Sequence, residues 1–348
     1  MAFHQNNHYV ACMSLKHFAA TSGHVLTYPI LVANQRVPLW RLRSIKGIAY
    51  RAHLYTRIVA GGQTDEMETW FNKEFETPAE EALKKATEDM RLTPRDWRSI
   101  IRFVAAQDVR TPARLFEDIQ RWNNLGPGLL EETLKESVRK LELAKNRGEE
   151  IQSVKATDSE YLPVRVTTRI EPGKKFGEIK AEMIVGRDLW LFGIRRLLTQ
   201  TVNALLEQKW SILSPPEGLE WFTSDDPVVR LNYYAENKYD FNGGWGNRGT
   251  EIFLPLSPRH LLYTKVGYPR PPRKTITPRA EAELFRRFLA EHAHRYIFSK
   301  SPDADVPELR PRTIDAAVLR DESAQWSRWH EEQTRATREL MGWTDDNH

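Results

Sequence analysis

Apolar residues fall at two spacings along this chain, and the two spacings mark out its elements. Leu130, Leu134, Val138 and Leu141 recur at threes and fours, the period of one helix face. Leu189, Phe192, Leu197, Val202 and Leu206 gather near one face in the same way and predict a long helix over about 187–208. Val164, Val166, Thr168 and Ile170 instead alternate, which predicts a strand within 161–170. The runs Val25–Tyr28 and Pro29–Ala33 are β-rich, and Asn34-Gln35 suits a turn after them. Further short strands are expected at Trp210–Leu213, Leu219–Thr223, Val228–Leu231, Glu251–Leu254 and His260–Lys265.

Four Thr-Pro pairs set helix starts: Thr77-Pro78, Thr93-Pro94, Thr111-Pro112 and Thr277-Pro278. A threonine caps the first turn, and proline fits the position where its missing N–H is not needed. Thr77-Pro78-Ala79-Glu80 has the form of a capping box, and Asp96 falls in a first turn, where the helix dipole favours it. Helices are therefore expected at about 65–76, 78–90, 94–109, 112–123, 129–147, 278–294 and 315–340, with Gly126-Pro127-Gly128 as a turn. A polar stretch without periodicity, 148–163, reads as a linker. Gly243-Gly244-Trp245-Gly246 lacks a strand-to-helix frame, so it reads as a flexible hairpin tip and not as a phosphate loop. Strands at both ends of a helical middle predict an α+β fold, with that middle packed against antiparallel strands from the N-terminal segment and the C-terminal half. A single domain over 1–348 is expected. It would comprise a helical subdomain at about 64–148, β-rich portions at 1–63 and 161–300, and a C-terminal helix at 315–340.

Composition narrows the class. The chain has 348 residues, 40% of them apolar, with eleven Trp and fourteen Phe, enough for a sizeable core. No run approaches the ~18 apolar residues of a membrane span, so no membrane partner is expected. Cys12 is the lone cysteine, which excludes an internal disulfide. With no secretory signal or Arg-rich leader at the start, the expected location is the cytoplasm.

Charge is distributed unevenly. Residues 1–64 hold no Asp or Glu, seven Lys or Arg and five His, while the whole chain carries only +4. A second acid-free stretch, 252–280, carries Arg259, Lys265, Arg270, Arg273, Lys274 and Arg279, with Tyr263 and Tyr268 between them. Two such stretches suit either a groove that tracks a phosphate backbone, with nucleic acid as the partner, or solvated charge on opposite faces. Arg41, Arg43, Lys46, Arg57, Arg114 and Arg273 are the candidate anion-binding residues.

Four groups are candidates for chemistry. Asp225 or Asp226 stands at a polar kink between β-rich flanks, where turn chemistry is the competing explanation. Glu68, Asn72 and Glu76 fall on one helical face, where they either converge or form a solvated stripe. Asp65 would cap that helix. Arg110 and Arg114 sit at a break between helices, with Gln107 and Asp108 interrupting an apolar face just before, the sign of a buried polar network. His8 is a candidate acid or base. Glu68, Glu76 and Asp225 together offer oxygen ligands to a divalent metal, Mg or Mn. His292 and His294 lie at a helix end, where the dipole favours the protonated form. Trp326, Trp329 and Leu340 offer an approximate partner face on the last helix.

The order of short motifs resembles the bacterial family catalogued as domain of unknown function 4238. These are Asn7-His8-Tyr9-Val10-Ala11 followed by Leu15, Lys16 and Phe18; Tyr55-Thr56; the helical glutamates Glu68 and Glu76; Arg110-Thr111-Pro112; Thr223-Ser224-Asp225-Asp226-Pro227; and Pro255-Leu256-Ser257-Pro258. Asn7 and Ala11 stand where the family pattern has His and Pro. The resemblance runs over roughly 7–300 and implies a soluble bacterial protein, with no established activity.

These residues support two readings. One is a metal-assisted nucleic-acid phosphodiesterase with His8 as acid or base, Glu68, Glu76 and Asp225 at the metal, and Arg110 stabilising developing charge. The other is a non-catalytic module that binds nucleic acid or protein, in which the same polar groups form a structural network.

Overall fold

A computed structural model describes residues 3–59, 62–149, 163–170 and 177–343. The fold is α+β. A five-stranded antiparallel sheet runs in the order Ser211–Leu213, His260–Lys265, Glu251–Ser257, Val229–Ala235, Lys238–Asp240. Its middle strand, Glu251–Ser257, is buried from its second residue to its last. Pro255 lies within it, and the register shifts between Pro255 and Ser257, a bulge where the ladder can spare the missing N–H. A second antiparallel sheet has the order Thr223–Ser224, Tyr296–Ser299, His24–Pro29, Arg41–Ser44. It joins the N-terminal segment to the C-terminal half.

The helices follow the expected capping only in part. Thr93 and Asp96 form a reciprocal capping box for Pro94–Val109, and Thr111 accepts the Arg114 N–H at the start of Pro112–Asn146. The Thr77 box does not form. Glu66–Phe71 runs through a π turn, Asn72–Glu76, straight into Thr77–Thr87, and the Thr77 hydroxyl bonds Asn72 Oδ1 at 3.1 Å. Pro78 has no N–H to give to Glu74, and the wider i→i+5 turn just ahead absorbs that loss without ending the helix. Likewise Thr277 does not cap Arg279–His292; its backbone N–H bonds the Ser214 carbonyl instead.

Gly126-Pro127-Gly128 is not a turn. Pro112–Asn146 passes through it as one helix of 35 residues, so the two expected helices are a single element. The 148–163 linker lies almost wholly outside the described residues. The expected 187–208 helix is Arg187–Arg196, a π turn Leu197–Thr201, and Asn203–Leu206. Leu219–Phe222 is irregular, and only Thr223–Ser224 of that stretch is strand. Val229–Ala235 extends further than expected and turns back to Lys238–Asp240 at Asn237, which takes a left-handed φ of 58°.

Two buried clusters hold these elements. The larger packs Leu15, Phe18, Phe71, Phe75, Phe103, Val104, Trp190 and Trp210 between the N-terminal segment and the helical middle. The smaller packs Tyr28, Trp221, Phe222, Phe253, Phe285 and Phe288 between the two sheets and the Arg279–His292 helix, whose Ala282, Phe285 and Leu289 share one face. Truncating a fully packed aromatic such as Phe285 to Ala costs about 3–5 kcal/mol. Among the described residues no helix is long and apolar enough to cross a membrane.

Candidate functional site

Arg110 anchors a polar cluster inside the larger core. It follows the Pro94–Val109 helix and is buried. Its Nη1 donates to Glu76 Oε1 at 2.6 Å and its Nη2 to Gln107 Oε1 at 3.0 Å, while its guanidinium lies 5.4 Å from the Phe71 ring centre. The Tyr55 hydroxyl donates to the Arg110 carbonyl at 2.7 Å. Gln107 binds the N-terminal segment on both sides, giving a hydrogen bond to the Tyr9 carbonyl at 2.5 Å and taking one from the Ala11 N–H at 3.2 Å. Asn7, buried, accepts the Tyr55 N–H at 3.0 Å. The π turn explains why Glu68 and Glu76 meet this cluster together. One α turn and one wider π turn span about eight residues, so positions 68 and 76 fall in line. Asn72 is left exposed on the outside and does not converge with them.

Burial pushes the Glu68 carboxyl up to about 7, with the nearby Glu76 charge adding to the rise and Arg110 opposing it. Glu68 Oε2 is buried without a hydrogen-bond partner. His8 is half-buried, its Nε2 3.3 Å from the Lys46 carbonyl and its ring against Tyr50. Burial lowers its pKa, and it feels the charges of Glu76 and Arg110. His8, Glu68, Glu76 and Arg110 are thus brought into one neighbourhood. Asp65 does not cap the Glu66–Phe71 helix; its Oδ2 accepts the His4 N–H at 2.9 Å.

Asp225 is elsewhere. It is buried, and its carboxylate accepts the N–H groups of His294 at 2.9 Å and Arg295 at 2.8 Å, which ties the Thr223–Ser224 strand end to the Tyr296–Ser299 strand. Burial pushes it up to about 7 even against those N–H groups. Both oxygens being engaged, Asp225 does not complete a metal site with Glu68 and Glu76. Among the described residues no three His, Cys, Asp or Glu side chains are placed to hold a metal ion.

Asp226 belongs to a third group. It accepts the Thr111 hydroxyl at 2.8 Å and lies 3.8 Å from Arg114 and 3.5 Å from His292. Arg114 also pairs with Asp108 at 3.2 Å and Glu117 at 2.8 Å. Asp108 Oδ2 accepts the Trp245 indole N–H at 2.7 Å. The glycine loop is therefore packed inward and is not a free tip. A Cβ on Gly243 would run into Thr250 and the Arg230 carbonyl. Burial lowers the pKa of both His292 and His294, the latter to about 4, so desolvation outweighs the helix dipole there.

A cavity of about 730 Å³ opens on the other side of Tyr9, within the range of small-ligand pockets. Its floor is one face of the second sheet. Thr27 stands opposite Arg41, and Pro29 opposite Tyr296, so these side chains share a side of the sheet, and Arg43, two residues after Arg41, joins them. Leu319, Ser323, Trp326 and Ser327, at helical spacing on Ala316–Met341, form the facing wall. Arg51 closes one side, 4.7 Å from the Trp326 ring centre and 3.6 Å from Glu322. Among the described residues no carboxylate lies within ion-pair reach of Arg41 or Arg43. The Thr27 hydroxyl, buried in the floor, has no hydrogen-bond partner. Ala49 in the wall takes a φ of 54°, strained for a residue with a Cβ.

The other expected anion-binding residues do not join this cavity. Arg57 is buried against Glu66, and Arg114 is enclosed by three carboxylates. Lys46 is exposed, and Arg273 is bonded to helix-end carbonyls at Ala86 and Met90. The two basic stretches do not form one groove. Trp326 and Trp329 are partly buried against the core, and Trp326 also faces the cavity. Thr27, Tyr50, Arg51 and Tyr296 were missed. The available signal was the Arg41-x-Arg43 spacing, which puts two charges on one strand face.

A family model described as "Protein of unknown function (DUF4238)" matches residues 6–303. No curated protein and no solved structure matches the chain.

Proposed function

The chain belongs to the DUF4238 family, and from that footing we propose that it is a binding module for single-stranded nucleic acid, with its buried polar clusters serving to hold the fold. The observation that carries this is Arg41 and Arg43, without carboxylate partners, on a cavity face beside Tyr50, Tyr296 and Trp326. Single strands are held without sequence preference by cations along the backbone and by aromatic faces for the bases. The cavity supplies both. The polar groups first read as catalytic fit the same view, since both terminal nitrogens of Arg110 are engaged by Glu76 and Gln107 and Asp225 is bound to backbone.

Fluorescence anisotropy with labelled single-stranded RNA and DNA tests it. Binding that weakens steeply with salt and is lost in Arg41→Ala/Arg43→Ala is expected. Equal affinity of wild type and double variant would sink the proposal.

One observation favours a second reading, phosphodiester cleavage. Glu68, held protonated up to about 7 in the neighbourhood of His8, is an acid beside an imidazole whose pKa burial lowers. Incubating labelled RNA with and without Mg²⁺ decides it: cleavage that Glu68→Gln abolishes supports it, and cleavage unchanged by that substitution removes it.

A further inference from the structure

The second acid-free stretch builds a site of its own. Arg91, Trp97, Trp210, Ser211, Arg270 and Arg273 line a hollow of about 260 Å³. An adjoining hollow of about 400 Å³ shares Trp97, Trp210 and Arg270 and adds Arg98. Among the described residues no Asp or Glu lines either hollow. Asp89, whose charge reaches Arg273, is itself engaged by His260 at 3.4 Å and by Lys274 at 3.5 Å.

Two of these arginines are fixed in place by backbone carbonyls and not by acids. Arg270 Nη1 donates to the Trp210 carbonyl at 2.9 Å, and its guanidinium lies 5.9 Å from the Trp97 ring centre. Arg273 donates to the carbonyls of Ala86 and Met90, at the C-terminal end of the Thr77–Thr87 helix. That end carries partial negative charge and suits a cation. Each guanidinium is thus oriented while keeping its full charge and spare donors, and Arg273 Nε is buried without a partner. Ser211 is 1% exposed, and its hydroxyl, also buried, has none. Three guanidinium groups and a hydroxyl around one hollow, with no acid among the described lining residues, leave donors without an acceptor. A fixed guanidinium loses little freedom on meeting an oxyanion, and its fork matches phosphate oxygens.

We infer that this hollow is an oxyanion site for a phosphate group, separate from the Arg41 cavity and independent of the function proposed for it. Arg270, Arg273 and Ser211 would hold the oxygens, and the exposed Arg91 would close over them.

Titration calorimetry with inorganic pyrophosphate on the full chain tests this, using wild type, Arg91→Glu, Arg270→Ala and Arg41→Ala/Arg43→Ala. Arg91 is exposed, so its variant keeps the fold. Wild type is expected to bind saturably with Kd below about 1 mM. Arg91→Glu and Arg270→Ala should each weaken binding by about tenfold or more, the loss of one charged hydrogen bond. Arg41→Ala/Arg43→Ala should leave it unchanged, which separates this site from the nucleic-acid reading. Parallel titrations with AMP identify the source of the phosphate. Tighter binding than pyrophosphate assigns a phosphate ester stacked at Trp97, and weaker binding assigns a free oxyanion. No saturable pyrophosphate binding, or equal binding by wild type and Arg91→Glu, would overturn the inference.

Discussion

Arg41 stands directly across from Thr27 in an antiparallel strand pair, and both line the cavity whose far wall is the C-terminal helix. The charge is held over a buried hydroxyl that has no partner of its own. For single-stranded nucleic acid, each phosphate neutralised contributes about −0.7 to the slope of log affinity against log salt. Replacing Arg41 and Arg43 with Ala should therefore make that slope shallower by about 1.4 as well as weakening binding at low salt. Salt-dependent anisotropy measures both. Weaker binding with an unchanged slope would mean the arginines act through the fold and not on phosphate.

The α+β class and most helix starts were legible in the sequence because local chemistry decides them. Thr93 with Asp96, and Thr111 before Pro112, form caps that need no distant partner. Distant partners decide what was not legible. The π turn at Asn72–Glu76 moves Glu76 under Glu68 and converts a capping box into helix interior. Asp225 resembles a site residue in one dimension, yet its acceptors are spent on backbone N–H groups some 70 residues away in sequence. Of the four residues expected to share one cavity, His8, Glu76 and Arg110 meet and Asp225 does not. The cationic rim was foreseen as charge, but its place was not. Arg51, Thr27 and Tyr296 come together only through the pairing of strands from opposite ends of the chain.

The Glu76–Arg110 pair predicts an asymmetric loss of stability. The Arg110 side chain is 1% exposed and that of Glu76 is 21% exposed. Glu76→Ala leaves a buried guanidinium hydrogen-bonded only to Gln107, a loss of about 3 kcal/mol, at the low end for broken buried pairs because Glu76 touches solvent. Arg110→Met with Glu76→Leu removes both charges and should recover much of that loss. Urea unfolding of the single and double variants measures it. A double variant no more stable than Glu76→Ala would show that the pair is not the element that matters.

Glu68 gives stability a dependence on pH. Its folded pKa of about 7 lies above the ordinary 4.5, so between these values the folded state holds a proton that the unfolded state has released. Its contribution is complete below about 4.5 and is lost as pH rises through 7. Glu68→Gln cannot ionise, and it should be more stable than wild type at pH 8 while gaining less at pH 5. Asp225 shifts in the same direction and remains in the variant, so the slope shrinks without vanishing. Thermal melts of both proteins at the two pH values test this, and an equal difference at pH 5 and pH 8 would exclude Glu68 as the titrating group.

His330 acts in the opposite sense. It stacks on His53 with ring centres 3.8 Å apart, and its Nδ1 faces the buried Arg187 Nη1 at 2.9 Å. Burial disfavours the charged ring, and protonation would also turn that acceptor into a donor aimed at a cation, so its pKa falls from 6.5 to about 4. Here the unfolded chain binds the extra proton. The contribution is complete above about 6.5 and is lost as pH falls toward 4. His330→Asn can keep an acceptor toward Arg187 but does not titrate. It should cost some stability at pH 7, through the lost ring stack, and that cost should shrink or reverse at pH 4.5. If the His330→Asn difference were the same at both pH values, the stacked pair would be packing alone, with no part in the acid sensitivity of the docked C-terminal helix.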